Sequence, residues 1–357
     1  MYKGADWSGL VRTVPQCSPQ QAFRIARLDP NISFFFLCRD SMVLEATAGN
    51  PTRVFNPGDA VFFTGKPWFG SAPQCDAYQN DGMSVAYISG TPTDVATAGC
   101  YTTAQGLPAV DVVCIFAANI GLRPASGAVR LAPNIAVPAG GALACGNPSI
   151  VQILQSKAIA NLQGLGITVL LTFLNNHDNA GWSEFVSAND AATFTAQLQD
   201  IVVQYGLDGI DIDDEYSGGT ANNTSLAMVT SMMQAGMPNK IISKALFRDL
   251  QCFGVSYQGK TLEHTLTYGW EMTYSALPRD VLPSYVAAGM ASNALSKGFW
   301  AKIPSPDPVA DVNWLKGNGY AGVMVYAFDE GANQTYLGQL VDDWCGSGNW
   351  NKTPNCP

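Results

Sequence analysis

No stretch of this 357-residue chain reaches eighteen consecutive apolar residues, so no segment reads as a membrane-spanning helix and no membrane partner is expected. Charge is scarce as well, at 13% of residues. Basic residues are the scarcer sign, 19 against 28 acidic ones, for a net charge of −9, and they occur singly or in pairs. Nothing therefore supplies the basic stripe that a phosphate backbone requires, and no nucleic-acid partner is expected. Neutral substrates suit such a chain better. His177 and His264 are the only histidines, too few for a His-rich zinc site, and neither metal nor cofactor is expected. No signal-peptide pattern opens the chain at "MYKGADWSGL", so a mature or trimmed form is expected. No internal repeat or low-complexity segment stands out.

Apolar residues, in contrast, make 47% of the chain, ample for one large core with or without a small second domain. Nine cysteines, little lysine and much Gly, Asn, Thr and Ser point to a secreted, disulfide-containing protein. Cys345 and Cys356 flank the polar tail "GSGNWNKTPN" and are expected to pair. Cys114, inside the apolar run "VDVVCIFAANI", is the candidate buried free thiol. Sequons at Asn31, Asn222, Asn223, Asn333 and Asn351 add weak support for secretion.

From about residue 83 the pattern alternates between short apolar runs and helical segments. Strands are expected at 83–89, 110–120, 167–174, 209–213, 240–247, 266–274, 293–301 and 320–328. Helices are expected between several of them: at 149–166, on Ile150, Ile153, Leu154 and Leu162; at about 189–205, on Phe194, Leu198, Ile201, Val202 and Tyr205; and in "NTSLAMVTSMMQAG" and "PVADVNWLKGNG". Eight strands over this length predict a (β/α)8 barrel of the α/β class, imperfect at 121–148 and 248–265, where the connections read as loops. The division expected is 1–80, 81–342 and a tail at 343–357. Residues 1–80 read as a small β-rich module, with strands at 32–38, 42–46, 52–55 and 59–65, stapled by Cys17, Cys38 and Cys75 in some combination. Trp68, Phe69 and Tyr78 would serve there as a sugar-stacking or domain-docking surface, or the module would be a structural cap on the barrel.

The chemistry concentrates in "YGLDGIDIDDEYSGG", residues 205–219. In a strand, alternate residues share a face, so Asp211, Asp213 and Glu215 line up while Ile210 and Ile212 point away. Asp208 has the opposite parity and would support the strand's entry, and Asp214 would turn from the chemistry. In a barrel that face points inward, with Glu215 at the C-terminal rim where barrel chemistry sits. Desolvation and repulsion would raise at least one of the three pKa values, leaving a protonated Glu215 able to donate to a leaving oxygen. A Ca2+ loop of the EF-hand type would want Gly where Tyr216 stands, and the interleaved Ile residues argue against a solvated charge run.

"DGIDIDDE" resembles, residue by residue, the D-G-x-D-x-D-x-E pattern of the family 18 glycoside hydrolases at Asp208, Gly209, Asp211, Asp213 and Glu215. The Asp before Glu215 and the Tyr after it sharpen the resemblance toward endo-β-N-acetylglucosaminidases of the endo H and endo F type. "VVCIFAANI", "GLGITVLLTFLNNHDNAGW", "MPNKIIS" and "GYAGVMVYAFDEG" look like further strand regions of those enzymes, so the resemblance spans about 83 to 340 and leaves out the first eighty residues. It implies a retaining, substrate-assisted mechanism with Glu215 as acid and base, Asp213 orienting the substrate acetamide and Asp211 tuning Asp213. "WEMTYSA" resembles the strand-six element, so Tyr274 would donate to the acetamido oxygen, with Ser275 departing from the chitinase Asp and Trp270 beside it as a further sugar contact. Tyr326 stands where chitinases carry a Trp under the sugar, and "TFLN" (172–175) departs from their third-strand element. The implied substrate is the GlcNAcβ1-4GlcNAc core of N-linked, high-mannose glycans, cleaved by a monomer. Candidate glycan contacts on the loops after the early strands are Asn119, Asn175, Asn176, His177 and Trp182. A chitinase, or an inactive lectin or inhibitor on the same barrel, are the alternatives.

Overall fold

The structure, a computed structural model, describes residues 10–27, 29, 31–32, 34–39, 42–44, 53–64, 75–79, 82–104, 106–125, 128–134, 148–175, 180–215, 221–354 and 356. Its N-terminal part holds β1 (Leu10–Val14), α1 (Pro19–Arg27), β2 (Phe34–Cys38), β3 (Met42–Leu44), β4 (Arg53–Phe55), β5 (Ala60–Phe63) and β6 (Cys75–Gln79). An antiparallel sheet in the order β1-β5-β2-β6 packs Phe35, Leu37, Ala60 and Phe62 with Ala22 and Ala26 of α1 into a small core, and β3 pairs with β4. The four strands expected here are present, and β1, β6 and the helix α1 join them. Its start is a capping box: Gln21 N–H donates to Ser18 Oγ at 3.1 Å, and Ser18 N–H to Gln21 Oε1 at 2.9 Å. Pro19 at the first helical position completes the signal. Cys17 is buried without a disulfide, so it is not one of the expected staples. Cys38 and Cys75 oppose each other across β2 and β6. The side chains of Cys75 and Tyr78, and all of Trp68 and Phe69, lie outside the described residues.

The barrel begins at β7 (Met83–Ile88), followed by α2 (Pro92–Ala96), β8 (Tyr101–Thr102), β9 (Val112–Ala125), β10 (Ala128–Asn134), α3 (Pro148–Gln155), α4 (Ala158–Leu165) and β11 (Thr168–Leu174). It continues with α5 (Ala188–Tyr205), β12 (Gly209–Asp213), α6 (Asn223–Gly236), β13 (Ile241–Leu246), α7 (Leu262–Thr265), β14 (Tyr268–Glu271) and α8 (Pro278–Ala287). The last elements are β15 (Leu295–Phe299), α9 (Pro308–Gly317), β16 (Gly322–Val325), α10 (Gly331–Cys345) and β17 (Asn351–Lys352). Eight parallel strands, β7-β9-β11-β12-β13-β14-β15-β16, close on themselves because β16 and β9 both pair with β7. The chain is a (β/α)8 barrel, and strands such as β7 and β11 read as near-continuous apolar runs because both their faces are buried.

The barrel departs from its sequence-based outline in three places. β9 runs on to Ala125 and returns antiparallel as β10, where a loop was expected. The helix expected over 149–166 is two helices, because Ser156 Oγ bonds the Ile153 carbonyl at 2.7 Å and accepts Ala158 N–H at 3.1 Å, satisfying the backbone locally. Cys356 bonds Cys100 rather than Cys345. The tail turns back after α10, pairs β17 with β8 and stacks Trp350 on Tyr101 at 4.2 Å, which brings Cys356 within 5.6 Å (Cα–Cα) of Cys100. Cys114 is buried and forms no disulfide, as expected. The Asn333 sequon is unusable in this fold: the residue is buried, with its amide donating to Ala327 O and accepting from Ala301 N–H.

Candidate active site

β12 carries the acidic face inward. Thr172 on β11 and Ser243 on β13 are the register partners of Asp211, and both hydroxyls donate to it, at 2.8 and 2.6 Å. Tyr87 reaches across the interior to the same carboxylate at 2.7 Å, and the Trp270 indole N–H donates at 3.1 Å. Four donors thus occupy both oxygens of a fully buried group. Burial pushes the Asp211 pKa up, and the hydrogen bonds pull it back.

Asp213, one step nearer the rim, is the opposite case. It is buried, yet it has no hydrogen-bond partner among the described residues, and its Oδ1 is fully enclosed. Burial lifts its pKa well above the carboxylate range, with the charges of Glu215 and Asp211 adding to the rise and Lys244 opposing it. Glu215, half-buried at the strand's end, is raised by burial and lowered by Lys244, and its carboxyl is also without a hydrogen-bond partner among the described residues. Lys244 is a buried cation on the outer side of β13, paired with Asp249 at 2.6 Å.

Tyr274 follows β14 into this cluster. Its hydroxyl has no hydrogen-bond partner among the described residues, and burial with the charges of Asp213 and Glu215 raises its pKa. Its ring stacks on Tyr326 at 6.0 Å and meets Trp300 at 5.8 Å, while Phe116 stands edge-on to Tyr326 at 5.5 Å. The structure therefore brings Asp211, Asp213, Glu215, Tyr274 and Tyr326 together.

The expected glycan contacts fare differently. Trp270 is fully buried with its N–H spent on Asp211, so it supports the ladder from behind. Trp182 is equally buried, its indole donating to Phe173 O at 2.7 Å. Asn175 bridges Asp214 and the Trp182 N–H, and Ser183 Oγ also donates to Asp214. Asp214 thus turns away from the ladder and ties down the loop after β11. Asn119, half-buried, donates to the carbonyls of Leu174 and Asn175. Asn176 and His177 lie outside the described residues. Asp208 accepts Val169 N–H and Gln163 Nε2, both at 2.9 Å, and so secures the entry of β12. Sequence reading missed Tyr87, Thr172, Ser243, Lys244 and Trp300, whose only signal is barrel register. Among the described residues no group of three or more His, Cys, Asp and Glu side chains is placed to hold a metal ion.

The endo-β-N-acetylglucosaminidase of Flavobacterium sp. (strain SK1022) is 28% identical over 279 residues, covering 75% of this chain and 82% of that protein. Endo-β-N-acetylglucosaminidase F1 of Elizabethkingia meningoseptica is 26% identical over 252 residues, covering 66% and 68%. The chain is thus similar in sequence to two proteins named as endo-β-N-acetylglucosaminidases. Crystal structures of Bacteroides thetaiotamicron EndoBT-3987 share its fold. The one with Man5GlcNAc product has a TM-score of 0.60 at 16% identity, covering 97% of this chain and 88% of that one. The one with Man9GlcNAc2Asn substrate has a TM-score of 0.59 at 17% identity, covering 87% and 81%. A match over 97% of the chain extends beyond the barrel into the N-terminal region, which the sequence resemblance left out. No protein-family model matches the chain.

Proposed function

We infer that this protein hydrolyses the GlcNAcβ1-4GlcNAc bond in the core of N-linked, mannose-rich glycans by a retaining, substrate-assisted mechanism. The observation that carries the reading is the graded ladder: Asp211 is saturated with donors, while Asp213, Glu215 and Tyr274 present unpartnered polar groups to one space. The bond cleaved follows from the two relatives named for that activity, and the glycan class from what the EndoBT-3987 crystals hold.

Glu215 protonates the glycosidic oxygen, and the bond to C1 breaks as the sugar's own acetamido oxygen closes on C1. Asp213 accepts the acetamido N–H and offsets the positive charge of the oxazolinium ion, while the Tyr274 hydroxyl donates to the attacking oxygen. Glu215, now ionised, takes a proton from the water that reopens C1 with net retention. An internal nucleophile removes the need for a second enzyme carboxylate about 5 Å from the first. The Cys100–Cys356 disulfide supports secretion into an oxidising compartment.

The test is release of glycan from a high-mannose glycopeptide, leaving one GlcNAc on asparagine, against release from chitin oligomers. Glu215→Gln is expected to lower kcat by about 10²–10⁴-fold. Because burial holds the Glu215 proton above its usual range, activity should persist past the ordinary glutamate pKa and fall only as pH rises through the raised value. Activity on chitin alone would make the protein a chitinase. Full activity in Glu215→Gln would remove the assigned acid, and a wild type that binds glycan without cleaving it would be a lectin.

A further inference from the structure

Substrate assistance demands that Tyr274 be held to within a fraction of an ångström, yet its hydroxyl has no partner among the described residues to hold it. Part of the restraint is ring packing. Beyond Trp300 and Tyr326, the ring lies over Gly298, where a Cβ would stand 3.2 Å from Tyr274 Cε1.

The rest is a buried ion pair. Glu271 ends β14, and Lys297 is its register partner on β15. Both have the parity opposite to Trp270, which places them between the strands and the helix layer, 1% and 0% exposed. Their charged atoms are 3.0 Å apart. Glu271 Oε1 accepts the Thr273 N–H at 3.0 Å, and Lys297 Nζ donates to the Thr273 carbonyl at 2.9 Å and to the Gly298 carbonyl at 2.8 Å. Both peptide groups flanking Thr273 are therefore gripped, and the second of them is the link to Tyr274. The same lysine also fixes the carbonyl of Gly298, the residue the tyrosine ring packs against. A buried ion pair is poor value as a stabiliser, because desolvation offsets most of its attraction and an apolar pair often does as well. Its placement here fits a geometric task.

We propose that Glu271 and Lys297 are positioning residues that clamp the Thr273 peptide groups and so hold the Tyr274 hydroxyl on the substrate's acetamido oxygen. The proposal rests on the endoglycosidase reading above. The decisive variant is Glu271→Gln with Lys297→Met. It keeps an acceptor for Thr273 N–H and the volume of the lysine stem, and the Thr273 carbonyl retains the Ala276 N–H at 2.9 Å. Thermal unfolding close to that of wild type is expected. With high-mannose glycopeptide, kcat should fall about 10-fold while KM stays within about 2-fold, the signature of an interaction made in the transition state. In a Tyr274→Phe background the same pair of changes should alter kcat by less than about 2-fold, because the group being positioned is gone. If the double variant does not fold, Lys297→Met alone, which gives up both carbonyl contacts of the lysine and leaves Glu271 free to neutralise by taking up a proton, carries the same cycle. Unchanged kcat, or an equal loss in both backgrounds, overturns the clamp while leaving the function intact. A wild type that releases no glycan overturns the function and the clamp with it.

Discussion

Asp211 and Asp213 are two residues apart on one strand face and are treated oppositely by their surroundings. Four donors hold Asp211, whereas Asp213 is enclosed with none, so neighbours rather than residue type divide the labour between them. Their shared face, and that of Glu215, was legible because strand parity is a local property. The role of Trp270 was not. An aromatic residue four positions before Tyr274 reads as a sugar platform, and only its enclosure and its 3.1 Å bond to Asp211 reassign it. Trp270→Phe removes that donor and keeps most of the ring. We expect kcat to drop about 10-fold with KM within about 2-fold. A raised KM at unchanged kcat would instead make Trp270 a sugar contact.

At the scale of the element, β12 depends on how closely its neighbours approach. A Cβ on Gly209 would land on the Ile241 carbonyl oxygen, so the first residue of the strand has no room for a side chain. Gly209→Ala is expected to cost at least about 3 kcal/mol, read from the shift of the urea midpoint, with activity falling as the ladder moves. Wild-type stability and activity in that variant would show that β12 and β13 can part without consequence. Strand existence was readable throughout the barrel from apolar runs, while helix boundaries hid in single side chains. Ser156 divides a helix that periodicity alone would carry through, and the Ser18–Gln21 capping box announces α1 in a stretch to which no element was assigned.

For the whole molecule, the Cys100–Cys356 disulfide joins residues separated by 256 positions and fastens the tail to the barrel. Cross-linking so long a loop removes much freedom from the unfolded chain, and the double change Cys100→Ser, Cys356→Ser should cost about 2–5 kcal/mol in equilibrium denaturation without reductant. An unchanged midpoint would mean that the β8–β17 pairing and the Trp350–Tyr101 stack hold the tail unaided. Glycan release at room temperature should survive the change, because the disulfide, the β17–β8 pairing and the Trp350–Tyr101 stack involve none of Asp211, Asp213, Glu215 and Tyr274.

The barrel's strand pattern, the inward row of Asp211, Asp213 and Glu215 and the placing of Tyr274 beside that row were all carried by local features: apolar runs, alternation and a short motif. Closure of the barrel settled the remainder. It delivered donors to Asp211 from β7, β11, β13 and β14, set Lys297 beside Glu271, and chose Cys100 for Cys356. Each of these joins positions far apart in the chain, where register and packing select the partner and no periodicity records it.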